Sequence, residues 1–147
     1  MKKVNFWFDM DGTIADLYGV DGWLSYLRNE DTFPYRAAAP IGDVDRLVNA
    51  LAALKANGYK VGVISWTSKT GSPAYNKRVR SAKVRWLNKY FPGLFDEIHI
   101  VKYGTPKTIY GDGGDILFDD NDKIRADWDY LGQSYTPDKI IELLEQW

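Results

Sequence analysis

Cysteine is absent from the 147-residue chain, and histidine occurs once. The first absence excludes disulfide frameworks, thiol nucleophiles and cysteine-ligated zinc. A single imidazole cannot build a multi-histidine metal centre. No stretch approaches the roughly 20 apolar residues of a membrane span, so no membrane association is expected. The N-terminal run MKKVNFWFDMDG is too briefly apolar for a secretory signal, and a cytoplasmic location is the expectation. Charge of one sign is not in excess either. Nineteen Lys+Arg face 20 Asp+Glu, which argues against nucleic-acid binding by bulk charge and leaves only local basic patches. What is present is ordinary for a folded domain: 45% hydrophobic and 27% charged residues exclude intrinsic disorder. At roughly 100–200 residues per domain, residues 1–147 read as one unit.

The hydrophobic pattern alternates between two periods. Residues 4–8 (Val-Asn-Phe-Trp-Phe) are β-branched and aromatic, and they stop at an acidic turn. Across 43–57, Val44, Leu47, Val48, Leu51 and Leu54 recur at helical spacing between Asp43 and Asn57-Gly58. A strand from Lys60 to Ser65 follows. Residues 75–90 predict a helix with Val79, Ala82, Trp86 and Tyr90 on one stripe. Strands are expected at Ile98–Lys102 and Asp115–Phe118, and a helix from about Asp122 to Leu131. A last helix is expected to begin at Pro137, capped by Thr136. Strands alternating with helices imply an α/β, Rossmann-like three-layer sandwich around a mostly parallel sheet of about five strands.

Such sheets bind ligands at the carboxyl ends of their strands. Strand one ends at Asp9, strand two at Ser65, and a later strand at Asp119-Asp120. Asp9 and Asp11 are separated by one residue, and Asp122 lies close behind the second acidic pair. Two like charges ~4 Å apart repel by ~4 kcal/mol at an effective dielectric near 20. Acids gathered on one sheet edge therefore require raised pKa values or a divalent cation, and all-oxygen ligation suits Mg²⁺. Gly12 allows the sharp turn, and Thr13 offers a hydroxyl and an amide to an anion.

These residues carry a resemblance. Phe8-Asp9-Met10-Asp11-Gly12-Thr13 resembles motif I of the haloacid dehalogenase (HAD) superfamily of phosphatases. Ser65, closing Val61-Gly62-Val63-Ile64, is similar to the motif II hydroxyl, with Thr67 a rival for the same role. Lys107 in Gly104-Thr105-Pro106-Lys107 is similar to the motif III lysine. Ile116-Leu117-Phe118-Asp119-Asp120 resembles motif IV in its double-aspartate form. The four stand in the family's order and span residues 4 to 122. The resemblance implies a phosphomonoester hydrolase in which Asp9 attacks phosphorus to form an aspartyl-phosphate. It also implies that Asp11 acts as general acid and then base. Mg²⁺ is expected between the Asp9 carboxylate, the Asp11 backbone carbonyl and Asp119 or Asp120. Ser65 and Lys107 are expected on the phosphoryl group, with Gly12, Thr13, Trp66, Thr67 and Lys69 as further phosphate or substrate contacts.

The family inserts specificity domains after motif I or between motifs II and III. Residues 14–42 leave room for a short flap with one helix around Trp23–Leu27, and no full cap fits in 66–106. Tyr18, Trp23, Tyr26, Phe33 and Tyr35 make this flap aromatic, either to stack a base or as the flap's own small core. Lys77, Arg78, Arg80, Lys83 and Arg85 form a basic run on the helix after Ser65, either a phosphodiester groove or a solvated face. This layout is similar to the 3′-phosphatase domain of polynucleotide kinases. It also resembles the 5′(3′)-deoxyribonucleotidases, which have a larger cap. The expected substrate is a phosphorylated molecule, in the nucleotide or nucleic-acid-end class. The alternatives are a small phosphorylated metabolite and a catalytically silent phosphate-binding module. A monomer or small homo-oligomer is expected. His99 reads as structural, Trp66 and Trp86 as core, and Trp128 as a cover for the outer sheet face.

Overall fold

The computed structural model describes residues 2–147. Five strands, β1 (Phe6–Phe8), β2 (Val61–Trp66), β3 (Glu97–Val101), β4 (Ile116–Phe118) and β5 (Gln133–Tyr135), form one sheet in the order β3-β2-β1-β4-β5. Every pairing is parallel. Six helices accompany them: α1 (Trp23–Arg28), α2 (Phe33–Ala37), α3 (Val44–Ala56), α4 (Pro73–Tyr90), α5 (Asp122–Trp128) and α6 (Ile140–Gln146). Among the described residues no helix is long and apolar enough to cross a membrane.

Alternation along the central strands sorts side chains into two layers. Phe6 and Phe8 of β1, Val61 and Val63 of β2, and Ile116 and Phe118 of β4 join the cluster that holds Leu51 of α3 and Leu144 of α6. Trp7, Ile64 and Leu117 point to the opposite face and meet Trp128 of α5. Trp128 is fully buried and its indole N–H donates to the Asp115 carbonyl at 3.0 Å, so it covers this face as expected. Gly62 is required there, because a Cβ would lie 2.4 Å from the Trp7 ring.

The chain proceeds from β1 outward to β2 and β3, then returns to β4 on the other side of β1. The strand order therefore reverses between β1 and β4, where α/β sheets place their ligands. Registry brings Phe8 opposite Phe118, and the Asp9 amide donates to the Phe118 carbonyl at 2.9 Å. Asp9 and Asp119 thus leave adjacent strands on neighbouring rungs.

Several boundaries differ from the sequence expectation. β1 begins at Phe6 instead of residue 4, and α5 ends at Trp128, with Leu131 tucked beneath that indole. Thr136 does not cap a helix with its side chain. Its hydroxyl bonds Asp138, Pro137–Lys139 forms a 3₁₀ turn, and α6 starts only at Ile140.

Residues 14–42 hold more structure than one short helix. A 3₁₀ turn at Leu17–Gly19, α1 and α2 make a small helical flap. Its ends are clasped by Asp16 N–H to Ala39 O (2.8 Å) and Ile41 N–H to Ile14 O (2.9 Å). Leu17 and Tyr35 pack with Tyr75, Val79 and Ala82 of α4. Glu30 accepts from the Ser72 amide (2.9 Å) and hydroxyl (2.8 Å), tying the flap to the N-terminus of α4. The aromatic residues divide accordingly. Tyr35 is buried as flap core, whereas Tyr18, Tyr26 and Phe33 are exposed.

At the opposite end of the sheet Asp115 is buried with four donors. Its carboxylate accepts from the Asn5 amide (2.9 Å) and side chain (3.1 Å), the Trp7 indole (2.9 Å) and the Asp112 amide (2.8 Å). Asp115→Ala leaves buried donors unpaired at ~1–3 kcal/mol each, so a loss of ~3 kcal/mol or more in stability is expected. Urea denaturation checks this, with an unchanged midpoint as the contrary result.

Candidate active site

The carboxyl ends of β1, β2 and β4 floor a cavity of about 390 Å³, with the flap on one side and the loop after β2 on the other. Asp9 leaves β1 and is buried. Its Oδ1 pairs with Lys107 Nζ at 2.9 Å, and its Oδ2 accepts from the Thr13 hydroxyl at 3.1 Å. Asp119 leaves β4 fully buried. Its Oδ2 pairs with Lys107 at 2.7 Å, and its Oδ1 accepts from the Asn121 amide at 2.9 Å. Lys107 opens the 3₁₀ turn Lys107–Tyr110 and is itself buried, so one cation bridges the two strand ends. Its burial opposes the charged form. The two carboxylates more than compensate, and its pKa is raised.

Asp9, Asp119 and Asp120 each present a carboxylate oxygen within 4.8 Å of the others. Asp120 opens to the pocket, its Oδ1 3.4 Å from the Thr13 hydroxyl. Desolvation, followed by the Asp9 charge, raises the pKa of both Asp119 and Asp120. Three acids against one lysine leave a negative excess of hard oxygen donors in a confined space. That donor set fits Mg²⁺. Asp122 is not part of it, being exposed and paired with Arg125. Arg125 reaches back to donate to the Asp119 carbonyl at 2.9 Å.

Asp11 sits two residues beyond Asp9 on the same turn, half-buried. Gly12 follows with φ of +81°, and a Cβ there would fall 2.3 Å from Asp120 Oδ2, so glycine fits where other residues clash. The Thr13 amide donates to Met10 O at 3.0 Å, and its hydroxyl is engaged with Asp9 and Asp120. Gly12 and Thr13 shape this turn, and neither is among the residues that line the cavity.

Sequence reasoning placed Lys83 in a basic surface run, and the structure corrects this. Lys83 is fully buried, and its ammonium donates to Asp11 Oδ2 (2.8 Å), the Ser65 hydroxyl (2.8 Å) and the Trp66 carbonyl (2.7 Å). Tyr35 of the flap covers it, its ring centroid 5.1 Å from Nζ. The signal was available. Lys83 stands four residues after Val79 and three before Trp86, on the buried stripe of α4. Burial raises the Asp11 pKa, with Lys83 opposing.

Ser65 and Thr67 are both buried and both line the pocket, Ser65 bound to Lys83. Trp66 forms wall instead of core. Its indole N–H donates to Thr105 O at 2.8 Å, and its ring stands 4.8 Å from that of Tyr103. Lys69 lines the rim. None of Lys77, Arg78, Arg80 and Arg85 lines the pocket, and Arg80 Nε donates to the Ile100 carbonyl at 2.9 Å. The basic run does not lead into this cavity. His99 stacks on Tyr110 at 4.3 Å and contacts Glu97, and it does not line the cavity.

Comparison with known proteins gives the fold a relative. No protein-family model matches the sequence, and no curated protein matches it. Among solved structures, the chain is similar to D,D-heptose 1,7-bisphosphate phosphatase from B. bronchiseptica, determined in complex with magnesium and phosphate. The TM-score is 0.60 at 12% identity, covering 98% of this chain and 97% of the other. The shared property is the α/β Rossmann-like fold over the whole length.

Proposed function

We propose that this chain is a Mg²⁺-dependent phosphomonoester hydrolase of the HAD type. The observation that carries the reading is the meeting of Asp9 and Asp119 on Lys107, with Asp11 held separately by Lys83. Two carboxylates on one turn thereby acquire different environments, as a nucleophile and an acid require. The fold's likeness to a phosphatase solved with magnesium and phosphate adds support.

Asp9 attacks phosphorus, forming the acyl-phosphate bond as the bond to the leaving oxygen breaks. Asp11 delivers a proton to that oxygen, and its raised pKa favours the protonated form this needs. Asp11 then takes a proton from the water that attacks the phosphoryl group, freeing Asp9 and inorganic phosphate. Lys107 neutralises charge as the phosphoryl group approaches, and Ser65 or Thr67 hydrogen-bonds a phosphoryl oxygen. Asp9, Asp119 and Asp120, with the Asp11 carbonyl, would hold Mg²⁺, which supplies charge neutralisation between carboxylate and phosphate.

The substrate is a compact phosphomonoester with a flat ring, in the first instance a nucleotide. Support comes from the aromatic wall of Trp66 and Tyr103 and the facing Tyr18 and Trp23. A nucleic-acid end is less well supported, because the basic residues of α4 lie outside the cavity. Purified protein is expected to release phosphate from p-nitrophenyl phosphate and from nucleoside monophosphates, to stop with EDTA, and to recover with added Mg²⁺. Indifference to EDTA would remove the metal from the scheme. Inertness on every phosphomonoester would favour a silent binding module.

A further inference from the structure

Resting on the phosphatase reading, we propose that Arg28 and Lys69 form a second anion subsite, so that the substrate is a nucleoside bisphosphate. Its second phosphate then sits at the pocket mouth while the first meets Asp9.

The cations of the site fall into two sets. Lys107 and Lys83, at the floor, are each tied to carboxylates at 2.7–2.9 Å. Arg28 and Lys69, at the mouth, line the same cavity with no hydrogen bond or ion pair to any described residue. They come from opposite walls. Residues 23, 24, 27 and 28 occupy one face of α1, and that face lines the pocket, with Arg28 at its C-terminal end. Lys69 belongs to the loop between β2 and α4, its Nζ 5.8 Å from the Tyr103 ring.

Guanidinium and ammonium groups are both phosphate binders, and neither of these two is neutralised by a carboxylate of the described residues. A helix C-terminus also favours Arg28, but this does not explain the second cation across the pocket. Aromatic rings line the same cavity, so it brings together the acids with Lys107, the rings and two exposed cations. This set matches phosphate, base-bearing nucleoside and second phosphate.

The test compares kcat/KM for a nucleoside 3′,5′-bisphosphate with that for its two parent monophosphates, for the wild type and for the Arg28→Gln, Lys69→Gln double variant. The wild type is expected to favour the bisphosphate by about tenfold or more, through KM, and the double variant to bring the ratio near one. Both positions are exposed, and a matching melting temperature establishes that the variant is folded. A wild-type ratio near one, or a preference that survives the double variant, overturns the subsite while p-nitrophenyl phosphate turnover leaves the phosphatase reading standing. No turnover of p-nitrophenyl phosphate with Mg²⁺ overturns both.

Discussion

Asp9→Asn abolishes turnover, with an expected loss of ~10⁴-fold or more in kcat, because the carboxylate that attacks phosphorus in the proposed scheme is gone. The fold survives. An asparagine oxygen still accepts from Lys107, and its amide still meets the Thr13 hydroxyl, both of which hold Asp9 in the wild type. One of three crowded negative charges also disappears, and each like pair at ~4 Å costs up to ~4 kcal/mol at an effective dielectric near 20. Without metal the variant is expected to melt at or above the wild-type temperature. With Mg²⁺ the order changes, since binding to the native state stabilises it in proportion to affinity and one ligand has been lost. Phosphate release and thermal melts with and without Mg²⁺ check the two halves separately. Retained turnover would mean that Asp9 is not the nucleophile. A Mg²⁺-induced rise equal to that of the wild type would remove Asp9 from the metal site.

The sheet was legible where its strands are buried on both faces. Phe6-Trp7-Phe8, Val61–Ile64 and Ile116–Phe118 are continuous apolar runs, as parallel strands covered on both sides require. The fifth strand was expected only as a number. Gln133-Ser134-Tyr135 is three residues long and polar, sits at the sheet edge, and is ordered by pairing with β4, which no local pattern encodes. The flap was underread for a related reason. α1 and α2 are six and five residues long, and their apolar partners, Tyr75, Val79 and Ala82, lie on a distant helix.

The acids were legible because carboxylates at strand ends are costly and conspicuous. The basic residues were harder, because a lysine reads alike whether it faces water or a buried carboxylate. In α4 five basic residues look equivalent in composition, yet one helical turn separates exposed Arg80 from fully buried Lys83. Stripe position, and not charge density, distinguishes them. A cation on an apolar stripe requires an anion inside, and here that anion is Asp11.

Lys83→Met tests that link. Methionine matches the length of the lysine stem, and exchanging a buried ion for an apolar group of similar volume is often close to neutral. The Ser65 hydroxyl and Trp66 carbonyl lose a donor, and Asp11 loses its counter-ion at the edge of a solvent-filled pocket. A stability change within ~2 kcal/mol is expected. Activity should fall much further, and unevenly. Loss of Lys83 leaves the Asp11 pKa raised further, but it frees the carboxyl from the 2.8 Å contact that aims it. General acid catalysis by an aimed group contributes ~10²–10⁴-fold when the leaving group needs its proton, so alkyl and sugar phosphates are expected to lose ~10²-fold or more in kcat. Nitrophenolate departs without protonation, and p-nitrophenyl phosphate is expected to lose ~10-fold or less. The split between leaving groups is the diagnostic, because a general weakening of the fold would depress both together. Equal losses with an unchanged melting temperature would assign Lys83 to the phosphoryl group through Ser65 instead of to Asp11. Unaltered kcat on both substrates would reduce it to a packing residue, and the separate environments of Asp9 and Asp11 would then need another cause.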